Sequence, residues 1–485
     1  MEIQDVAEKA LLDMLHKQNT QYGGDARTGV VIVMEVATGD IKAMVNMSRA
    51  DDGKYYELKN HALADILEPG STFKTASLLV ALDDNKISIN DSVDANRGLY
   101  KFGSATMRDH NWNKASAYGV LSVPQVLMYS SNVGTARLID ENYGKEPEKF
   151  VEGLHRMGLA THFPLLPGTG RPVIRKPNKD KSNWSRTALP WMSIGYETQI
   201  APINIVSFYN AIANDGKFMK PRLVKAILED GHVVEEFKPE VLIDKIASKQ
   251  ALDDITKMLT MVVNEPTGLG RQAGSEEFLV AGKTGTAQIA SGGQLKGGGH
   301  QLSFCGFFPA DAPKYTCIVS IQTRGGLISG GGVAGVVFGD MVGNVWVTLG
   351  GALASIVICF LMVMISMGFG NSTKSLFPDE IAKELGVSRS LVSVGESCRY
   401  IGTAVTNLFF GFLIVKFGAK TLACAGFVSL FLAAMIYSIA DHLALIYIAG
   451  TLLGIGTCLV LNGWCKQTLV AVGNSNFHIL TGWRE

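Results

Sequence analysis

The sequence predicts a layered α+β or α/β domain over residues 1–342, with a central sheet and flanking helices, and an all-α membrane segment over residues 343–485. The first prediction rests on β-rich runs and on a helix after Ser71 that is apolar almost all round, because such a helix is buried in a large core. The second rests on residues 343–370, which are 28 residues without a charge, since about 20 apolar residues span a bilayer. Further apolar stretches, which bring the predicted transmembrane helices to about four, lie at 391–415, 421–440 and 443–464.

Hydrophobic periodicity and turn residues predict the elements of the first part. Residues 3–15 carry apolar side chains at helical spacing, which indicates an amphipathic helix. Residues 29–36 and 41–45 flank a short turn and predict a hairpin. Further helices are predicted at 71–82, 124–139, 200–214 and 249–263, strands at 278–289, 301–308 and 315–323, and a long loop at 161–190.

Composition argues against several classes of function. The 44 basic and 44 acidic residues cancel, so no polyanionic partner such as nucleic acid is indicated. The histidines and cysteines show no zinc-type spacing, so no metal and no other cofactor is expected. Cys305 and Cys317 fall on neighbouring predicted strands, which leaves a disulfide between them open. The first residues lack a basic region followed by an apolar one, so no signal peptide is predicted.

The first chemical motif is Ser71-Thr72-Phe73-Lys74. Helical residues three apart share a face, so the Lys74 amine can reach the Ser71 hydroxyl. A nucleophilic serine needs a neighbouring base, and lysine supplies one when burial and nearby positive charge lower its pKa. Ser71 also begins the helix, so its backbone N–H is free to face a developing oxyanion. Alone, the motif is more typical of an N-cap serine followed by an ordinary helical lysine.

The second motif is Ser130-Ser131-Asn132, after the helix that begins near Pro124. From a turn, a hydroxyl and an amide two residues apart can point into one cleft. Ser130 would then relay a proton to a leaving amine, and Asn132 would hydrogen-bond Lys74 and the substrate backbone. Alone, the motif is more typical of a polar helix cap.

The third motif is Lys283-Thr284-Gly285-Thr286 within the predicted strand 278–289. Strand alternation places Lys283 and Gly285 on one face and the two threonines on the other. Gly285 is expected to leave room for a substrate backbone, and Lys283 to add positive charge near the serines. Threonine hydroxyls suit a carboxylate, and the Thr286 N–H is a candidate oxyanion donor. Alone, the motif is more typical of a polar strand tip.

The three motifs together occur in the order, and on the elements, that characterise β-lactamases and penicillin-binding proteins. Residues 2–342 resemble the transpeptidase domain of class B penicillin-binding proteins, which implies a β-lactamase-like fold. The resemblance extends to the hairpin 34–44, to Glu68-Pro69-Gly70, to Ser193-Ile194-Gly195-Tyr196-Glu197 and to residues 304–310.

The resemblance implies a peptidoglycan D,D-transpeptidase of septal or elongation cell-wall synthesis. Ser71 would be acylated by a D-Ala-D-Ala stem peptide or by a β-lactam, and the donor peptide would lie along the Lys283 strand as an added strand. The implied catalytic residues are Ser71, Lys74, Ser130, Asn132 and Lys283, and the implied substrate-binding residues are Thr284, Gly285 and Thr286.

Two related functions compete with this reading. A class A β-lactamase uses a glutamate between the second and third motifs to activate water. No Glu-x-x-x-Asn pattern stands between Asn132 and Lys283, which disfavours hydrolysis. A β-lactam sensor carries its membrane part before the sensor domain, the reverse of the order here.

Beyond about residue 347 the sequence resembles the first part of a major facilitator superfamily transporter. Residues 385–393 are similar to the start of its second helix, and residues 411–420 to its loop between helices two and three. Val415 replaces the usual acidic residue of that loop. Four helices cannot enclose a path between two six-helix halves, and a generic anchor stays an alternative. The second functional hypothesis is a membrane transport protein with a vestigial or β-lactam-sensing soluble domain.

The expected location is the bacterial inner (plasma) membrane, with the transpeptidase-like domain on the extracytoplasmic side. Basic residues flank the membrane helices four against four, so the positive-inside rule does not decide orientation. The expected partners are peptidoglycan stem peptides, β-lactams, the lipid bilayer and cell-wall synthesis proteins. The chain is expected to be a composite, in which a domain truncated at its N-terminus joins a transporter fragment near residue 345; a gene fusion and an error of sequence assembly both fit.

Overall fold

The computed structural model describes residues 3–178, 182–230, 232–291, 294–345, 378–417 and 419–474. The chain divides into two compact units, Met1–Val345 and Trp346–Glu485. The first predicted membrane segment, residues 343–370, therefore lies almost entirely outside the described residues.

Helices and strands alternate along the first unit. Its α-helices are α1 Ile3–Thr20, α2 His61–Ala64, α3 Lys74–Asp83, α4 Val123–Met128, α5 Asn132–Tyr143, α6 Pro147–Arg156, α7 Ala188–Ser193, α8 Pro202–Ala213, α9 Lys249–Asn264 and α10 at residues 336–345. Its shorter helical turns are Gly70–Phe73, Asn96–Gly98, Arg271–Ala273 and Gly331–Gly335. Its strands are β1 Asp25–Glu35, β2 Ile41–Arg49, β3 Tyr55–Tyr56, β4 Ser92–Asp94, β5 Leu99–Phe102, β6 Ala105–Arg108, β7 Val120–Ser122, β8 Val173–Ile174, β9 Thr198–Gln199, β10 Phe218–Met219, β11 Ala226–Glu229, β12 His232–Glu236, β13 Val241–Ile243, β14 Ala281–Ser291, β15 Gln294–Phe308 and β16 Tyr315–Arg324.

A six-stranded antiparallel sheet in the order β14-β15-β16-β1-β2-β3 forms the centre of the first unit. Along β1, Val30 and Ile32 enter one hydrophobic core, whereas Val31 and Val33 enter the other. Both faces of the sheet are therefore covered, which explains why the strand reads as a continuous apolar run rather than an alternating one. The predicted central sheet with flanking helices is present.

Helix α1 covers one face of the sheet. Its Leu11 and Leu15 are fully buried against Gly29 of β1. A Cβ at Gly29 would lie 2.9 Å from a Leu11 methyl group and 3.1 Å from a Leu15 methyl group, so the helix packs directly on the strand backbone. The predicted N-terminal amphipathic helix is thus confirmed, and it is an integral part of the core.

Helix α3 runs through the core on the other face, and its residues from Lys74 to Leu82 are all buried. Polar side chains tie it to its neighbours. The Ser77 hydroxyl donates to the Ser193 carbonyl at 2.8 Å, and the Tyr209 hydroxyl of α8 donates to the Thr72 carbonyl at 2.8 Å. These bonds hold the start of α3 in place, because buried polar groups fix the packing of their partners when they are satisfied.

One sequence prediction for this unit is wrong. The helix predicted over 124–139 is two helices, since α4 ends at Met128 and α5 begins at Asn132. Between them Ser130 has a φ of 53°, and the Ser131 side chain caps α5 by accepting from the Gly134 N–H. Apolar periodicity continues on both sides of the break, so it conceals the turn.

The disulfide that the sequence left open between Cys305 and Cys317 is not formed. Both thiols are free and buried. Cys317 pairs with Gly306 rather than with Cys305, so strand alternation sends the two thiols to opposite faces of the sheet.

The described part of the second unit is helical, with α11 Pro378–Glu384, α12 Arg389–Phe417, α13 Ala419–Ser438 and α14 Leu443–Asn474. The last three coincide with the predicted apolar segments. Among the described residues, however, only Leu443–Val460 is both long and apolar enough to cross a membrane, with a mean hydropathy of 2.2. The described helices thus provide one clear candidate span where the sequence predicted about four.

Candidate active site

Ser71 lies in the helical turn Gly70–Phe73, which leads directly into α3. Gly70 has a φ of 58°, and its N–H donates to the Gly195 carbonyl at 3.2 Å. A Cβ on Gly70 would lie 2.9 Å from the Ala287 side chain of β14, and one on Gly195 would lie 2.1 Å from the Gly70 carbonyl. The turn is therefore wedged against β14, and only glycine fits at both positions.

The amine of Lys74 is enclosed by the second motif. Lys74 is 0% exposed, and its Nζ donates to the Ser130 carbonyl at 2.6 Å, to Asn132 Oδ1 at 2.6 Å and to Ser130 Oγ at 3.2 Å. Burial lowers the pKa of Lys74 to about 7, although the charge of Asp109 acts in the opposite direction. A substantial fraction of this amine is therefore neutral near pH 7 and able to accept a proton. Within the described residues, the Ser71 hydroxyl one turn earlier makes no hydrogen bond.

A buried carboxylate, Asp109, holds the second motif in shape. It accepts from the Ser131 hydroxyl at 2.8 Å, from the Asn132 N–H at 2.6 Å and from the Val133 N–H at 3.0 Å. The Asn132 side chain in turn donates to the Arg108 carbonyl at 2.9 Å, which leaves its Oδ1 for Lys74. An acceptor at the unpaired N–H groups of a helix start is electrostatically favourable.

Sequence reasoning missed Asp109. It directly follows strand β6 and belongs to no recognisable motif. The available signal was indirect, because the N–H groups at the start of a buried helix after Ser131 require an acceptor from elsewhere in the chain.

Lys283 of the third motif is also 0% exposed, and its Nζ donates to the Thr284 carbonyl at 3.0 Å and to Thr284 Oγ1 at 3.3 Å. Burial first, and the charge of Lys74 second, hold the pKa of Lys283 well below its ordinary value. The Lys74 amine is thus close enough to act on the Lys283 amine.

Gly285 is closely packed by its neighbours. A Cβ at this position would lie 2.2 Å from Ser303 Oγ and 3.0 Å from Thr72 Cγ2, so the space beside it is filled by β15 and by the nucleophile turn. The glycine therefore lets that turn pack on the strand. Thr286 is exposed, and its hydroxyl accepts from the Gly330 N–H at 3.3 Å, away from Lys283.

The structure thus brings Lys74, Ser130 and Asn132 into direct contact, places Ser71 one helical turn before Lys74, and has Lys283 within electrostatic reach. Such an arrangement can support acyl transfer, because a serine hydroxyl stands one turn from an amine with a lowered pKa, and a second hydroxyl contacts that amine. Among the described residues, no group of three or more His, Cys, Asp or Glu side chains is placed to hold a metal ion.

Comparison with known proteins identifies the family. The sequence model described as "Penicillin binding protein transpeptidase domain" matches residues 29–343, well over half of the chain. The chain belongs to this family. A second model, "Major Facilitator Superfamily", matches residues 358–466 of the same chain. Both resemblances read from the sequence are therefore confirmed.

Individual relatives agree with the family assignment. The chain is 29% identical over 325 residues to "Probable peptidoglycan D,D-transpeptidase PenA" of Neisseria flavescens, covering 65% of this chain and 74% of the relative. It is 30% identical over 319 residues to "Penicillin-binding protein PbpB" of Mycolicibacterium smegmatis, covering 62% of this chain and 47% of that protein. The chain spans about half the length of several such relatives, for example 52% of PenA from Neisseria gonorrhoeae.

Solved structures confirm the fold of the first unit. The apo TP domain of Burkholderia pseudomallei penicillin-binding protein 3 aligns with a TM-score of 0.58 and 26% identity, over 72% of this chain and 94% of that one. A protein described as a peptidoglycan glycosyltransferase from Burkholderia ambifaria aligns with a TM-score of 0.58 and 25% identity, over 72% of this chain and 96% of the other. The predicted transpeptidase-type fold is therefore present.

The charge of Asp109 can be tested separately from its shape. In Asp109→Asn the amide keeps one oxygen for the two N–H groups and can donate to the Ser131 hydroxyl, so the turn should persist. The Lys74 pKa should fall below its value of about 7, because the carboxylate that raises it is gone. Titration of labelled lysine side chains by NMR measures the shift. Asp94→Asn on the exposed strand β4 is the control, and an unchanged Lys74 pKa in Asp109→Asn would contradict the assignment.

Proposed function

We propose that this chain is a peptidoglycan D,D-transpeptidase that is acylated at Ser71 by D-Ala-D-Ala stem peptides and by β-lactams. One observation carries the proposal. A fully buried lysine amine, one turn after a serine with a free hydroxyl, contacts both functional groups of the Ser130-Ser131-Asn132 turn. Burying an amine is unfavourable, so its retention here calls for a chemical role.

In the acylation half-reaction, neutral Lys74 takes the Ser71 proton as Oγ attacks the donor carbonyl. The Oγ–C ester bond forms and the amide C–N bond breaks, and the departing D-alanine amine receives a proton through Ser130, which lies 3.2 Å from Lys74 Nζ. The Ser71 N–H precedes the first bond of its helical turn, so it is suited to the developing oxyanion together with the Thr286 N–H.

The donor carboxylate would be bound on the Lys283 side of the site. Both amines are fully buried, and the charge of Asp109 acts on Lys74, so a ligand that brings its own carboxylate would stabilise the charged form of Lys283. We assign carboxylate binding to Lys283, Thr284 and Thr286, with the peptide backbone along β14. Asn132 would position the donor, since its amide already bridges Lys74 and the Arg108 carbonyl.

In the second half-reaction an amine of a neighbouring stem peptide attacks the ester, and the new amide bond is the cross-link. No glutamate in a Glu-x-x-x-Asn pattern follows Asn132 before Lys283, so we infer that amines are preferred over water as acceptors. This preference distinguishes the proposed transpeptidase from a β-lactamase.

We further propose that the chain has two functional domains, 1–342 and 343–485, and that the second places the first at the outer face of the bacterial inner membrane as a bundle of about four helices. The apolar span Leu443–Val460 and the match to the Major Facilitator Superfamily support membrane insertion. Peptidoglycan precursors and other cell-wall synthesis proteins would be the partners there. We assign no transport activity, because four helices do not form two transporter halves.

Ser71 can be tested with a fluorescent penicillin on the detergent-solubilised full chain. We expect stoichiometric covalent labelling of the native chain, and loss of the label in Ser71→Ala and in Lys74→Met, since the nucleophile or its base is missing. Ser77→Ala removes a hydroxyl from the same helix and should retain the label. An unlabelled native chain with intact secondary structure, or undiminished labelling of Ser71→Ala, would reject the proposal.

The pKa of Lys74 predicts the pH dependence of acylation. A base with a pKa of about 7 is neutral above that pH, so the acylation rate constant for a chromogenic β-lactam should level off above pH 7. Below pH 7 it should fall roughly tenfold per unit as the amine is protonated. Stopped-flow measurements from pH 5 to 9 test this, and a flat profile over that range would exclude Lys74 as the base.

Membrane insertion can be tested by alkaline carbonate extraction of cells that express the full chain. The native chain should stay in the membrane pellet. The double variant Leu452→Arg/Ile455→Arg should be partly extracted, because each arginine near the centre of a span costs about 2.5–3.5 kcal/mol. The control Leu452→Ala/Ile455→Ala should stay in the pellet, and extraction of the native chain would argue against the anchor.

A further inference from the structure

A histidine that belongs to none of the three motifs lies beside the second one. The Asn132 side chain donates to the Arg108 carbonyl at 2.9 Å, and the Asn132 N–H donates to Asp109 at 2.6 Å. His110 follows directly and is exposed. An imidazole with access to solvent is thus held next to the turn that carries Ser130 and Asn132.

Two tyrosines fix the position of this imidazole. The His110 ring meets Tyr118 edge-on, with centroids 5.7 Å apart, and its Nε2 lies 3.4 Å from the Tyr118 hydroxyl. Tyr118 in turn stacks on Tyr129 at 5.1 Å, and Tyr129 directly precedes Ser130. When Nε2–H donates to the Tyr118 oxygen, Nδ1 keeps a free lone pair that can accept a proton.

The charged and titratable groups around the imidazole favour its neutral form. Burial lowers the pKa of His110 below its ordinary value and the neighbouring lysines add to this effect, whereas Asp109 opposes them. The pKa of Tyr118 is raised to about 12, mainly by burial, so its hydroxyl stays protonated. The groups that face His110 are Asp109, Tyr118, Lys74, Lys114 and Lys283.

The acceptor amine must lose a proton before it can attack, and the enclosed Lys74 amine is poorly placed to remove it. A lysine-like amine has a pKa of about 10.4 and arrives as an ammonium, which is not a nucleophile. Lys74 is 0% exposed, with three oxygens of the second motif around its Nζ. A proton acceptor that is neutral at pH 7 and open to solvent at the edge of the site is suited to take this proton.

We propose that His110 is the general base that deprotonates the incoming amine of the acceptor stem peptide. The proposal rests on the proposed transpeptidase function. His110 takes one proton from the ammonium and later releases it to water. The amine nitrogen then attacks the ester carbonyl, the C–N bond forms and the Ser71 Oγ–C bond breaks. The second amine proton passes through neutral Lys74 to Ser71 Oγ, so the enzyme returns to its starting state.

The test separates the two half-reactions in the full chain. A fluorescent penicillin reports acylation, and a D-Ala thioester substrate with a D-amino acid as acceptor reports aminolysis of the acyl-enzyme. We expect His110→Gln to acylate like the native chain and to lose roughly 10²-fold in aminolysis at pH 7. The native aminolysis profile should show an inflection below pH 6.5 that the variant lacks, and added imidazole should restore activity to His110→Ala. His16→Gln is the matched control, since His16 meets Tyr55 edge-on at 5.5 Å.

Three results would overturn the proposal. Unchanged aminolysis in His110→Gln would show that the imidazole is dispensable. An equal loss in both half-reactions would show that His110 only supports the fold of the turn. Failure of the native chain to form any acyl-enzyme would contradict the transpeptidase itself and His110 with it, whereas normal acylation with unaffected aminolysis contradicts His110 alone.

Discussion

The burial of the Lys74 amine is the constraint from which the rest of the site follows. An ammonium removed from water is costly by several kcal/mol unless oxygens replace its hydration. All three oxygens around this amine come from Ser130 and Asn132, so the chain has to turn back sharply between α4 and α5. The positive φ of Ser130 is an energetically unfavourable backbone conformation that this turn requires.

Asp109 supplies a buried negative charge next to the Lys74 amine. As one carboxylate it closes the start of α5 and faces Lys74, while Lys283 has Thr284 oxygens and no carboxylate among its hydrogen bonds. Burial lowers the pKa of both amines, and the charge of Lys74 lowers the pKa of Lys283 further. A carboxylate brought by a ligand would replace part of the hydration that these amines lose, so the burial that lowers their pKa values also favours an anionic ligand.

The sequence was informative where local pattern and tertiary structure agree. The apolar helix after Ser71, the β-rich runs and the three short motifs each carry their signal within a few residues, and the structure contains all of them. Asp109 and His110 carried no such signal, because their roles arise when the segment after strand β6 folds back on residues 130–132. The break at Ser130 was hidden for a similar reason. The Ser131 cap and the hydrogen bonds to the buried Lys74 amine favour a break between two helices, although the apolar pattern continues across it.

The tight packing of the nucleophile turn against β14 limits which substitutions the protein can tolerate during evolution. Gly70, Gly195 and Gly285 meet their neighbours at distances that leave no room for a methyl group. Substitutions that reshape the site to admit one acyl donor and repel another are therefore barred from this inner wall. Adaptation to an inhibitor that acylates Ser71 is therefore expected at positions outside this inner wall, where a changed side chain does not displace the turn.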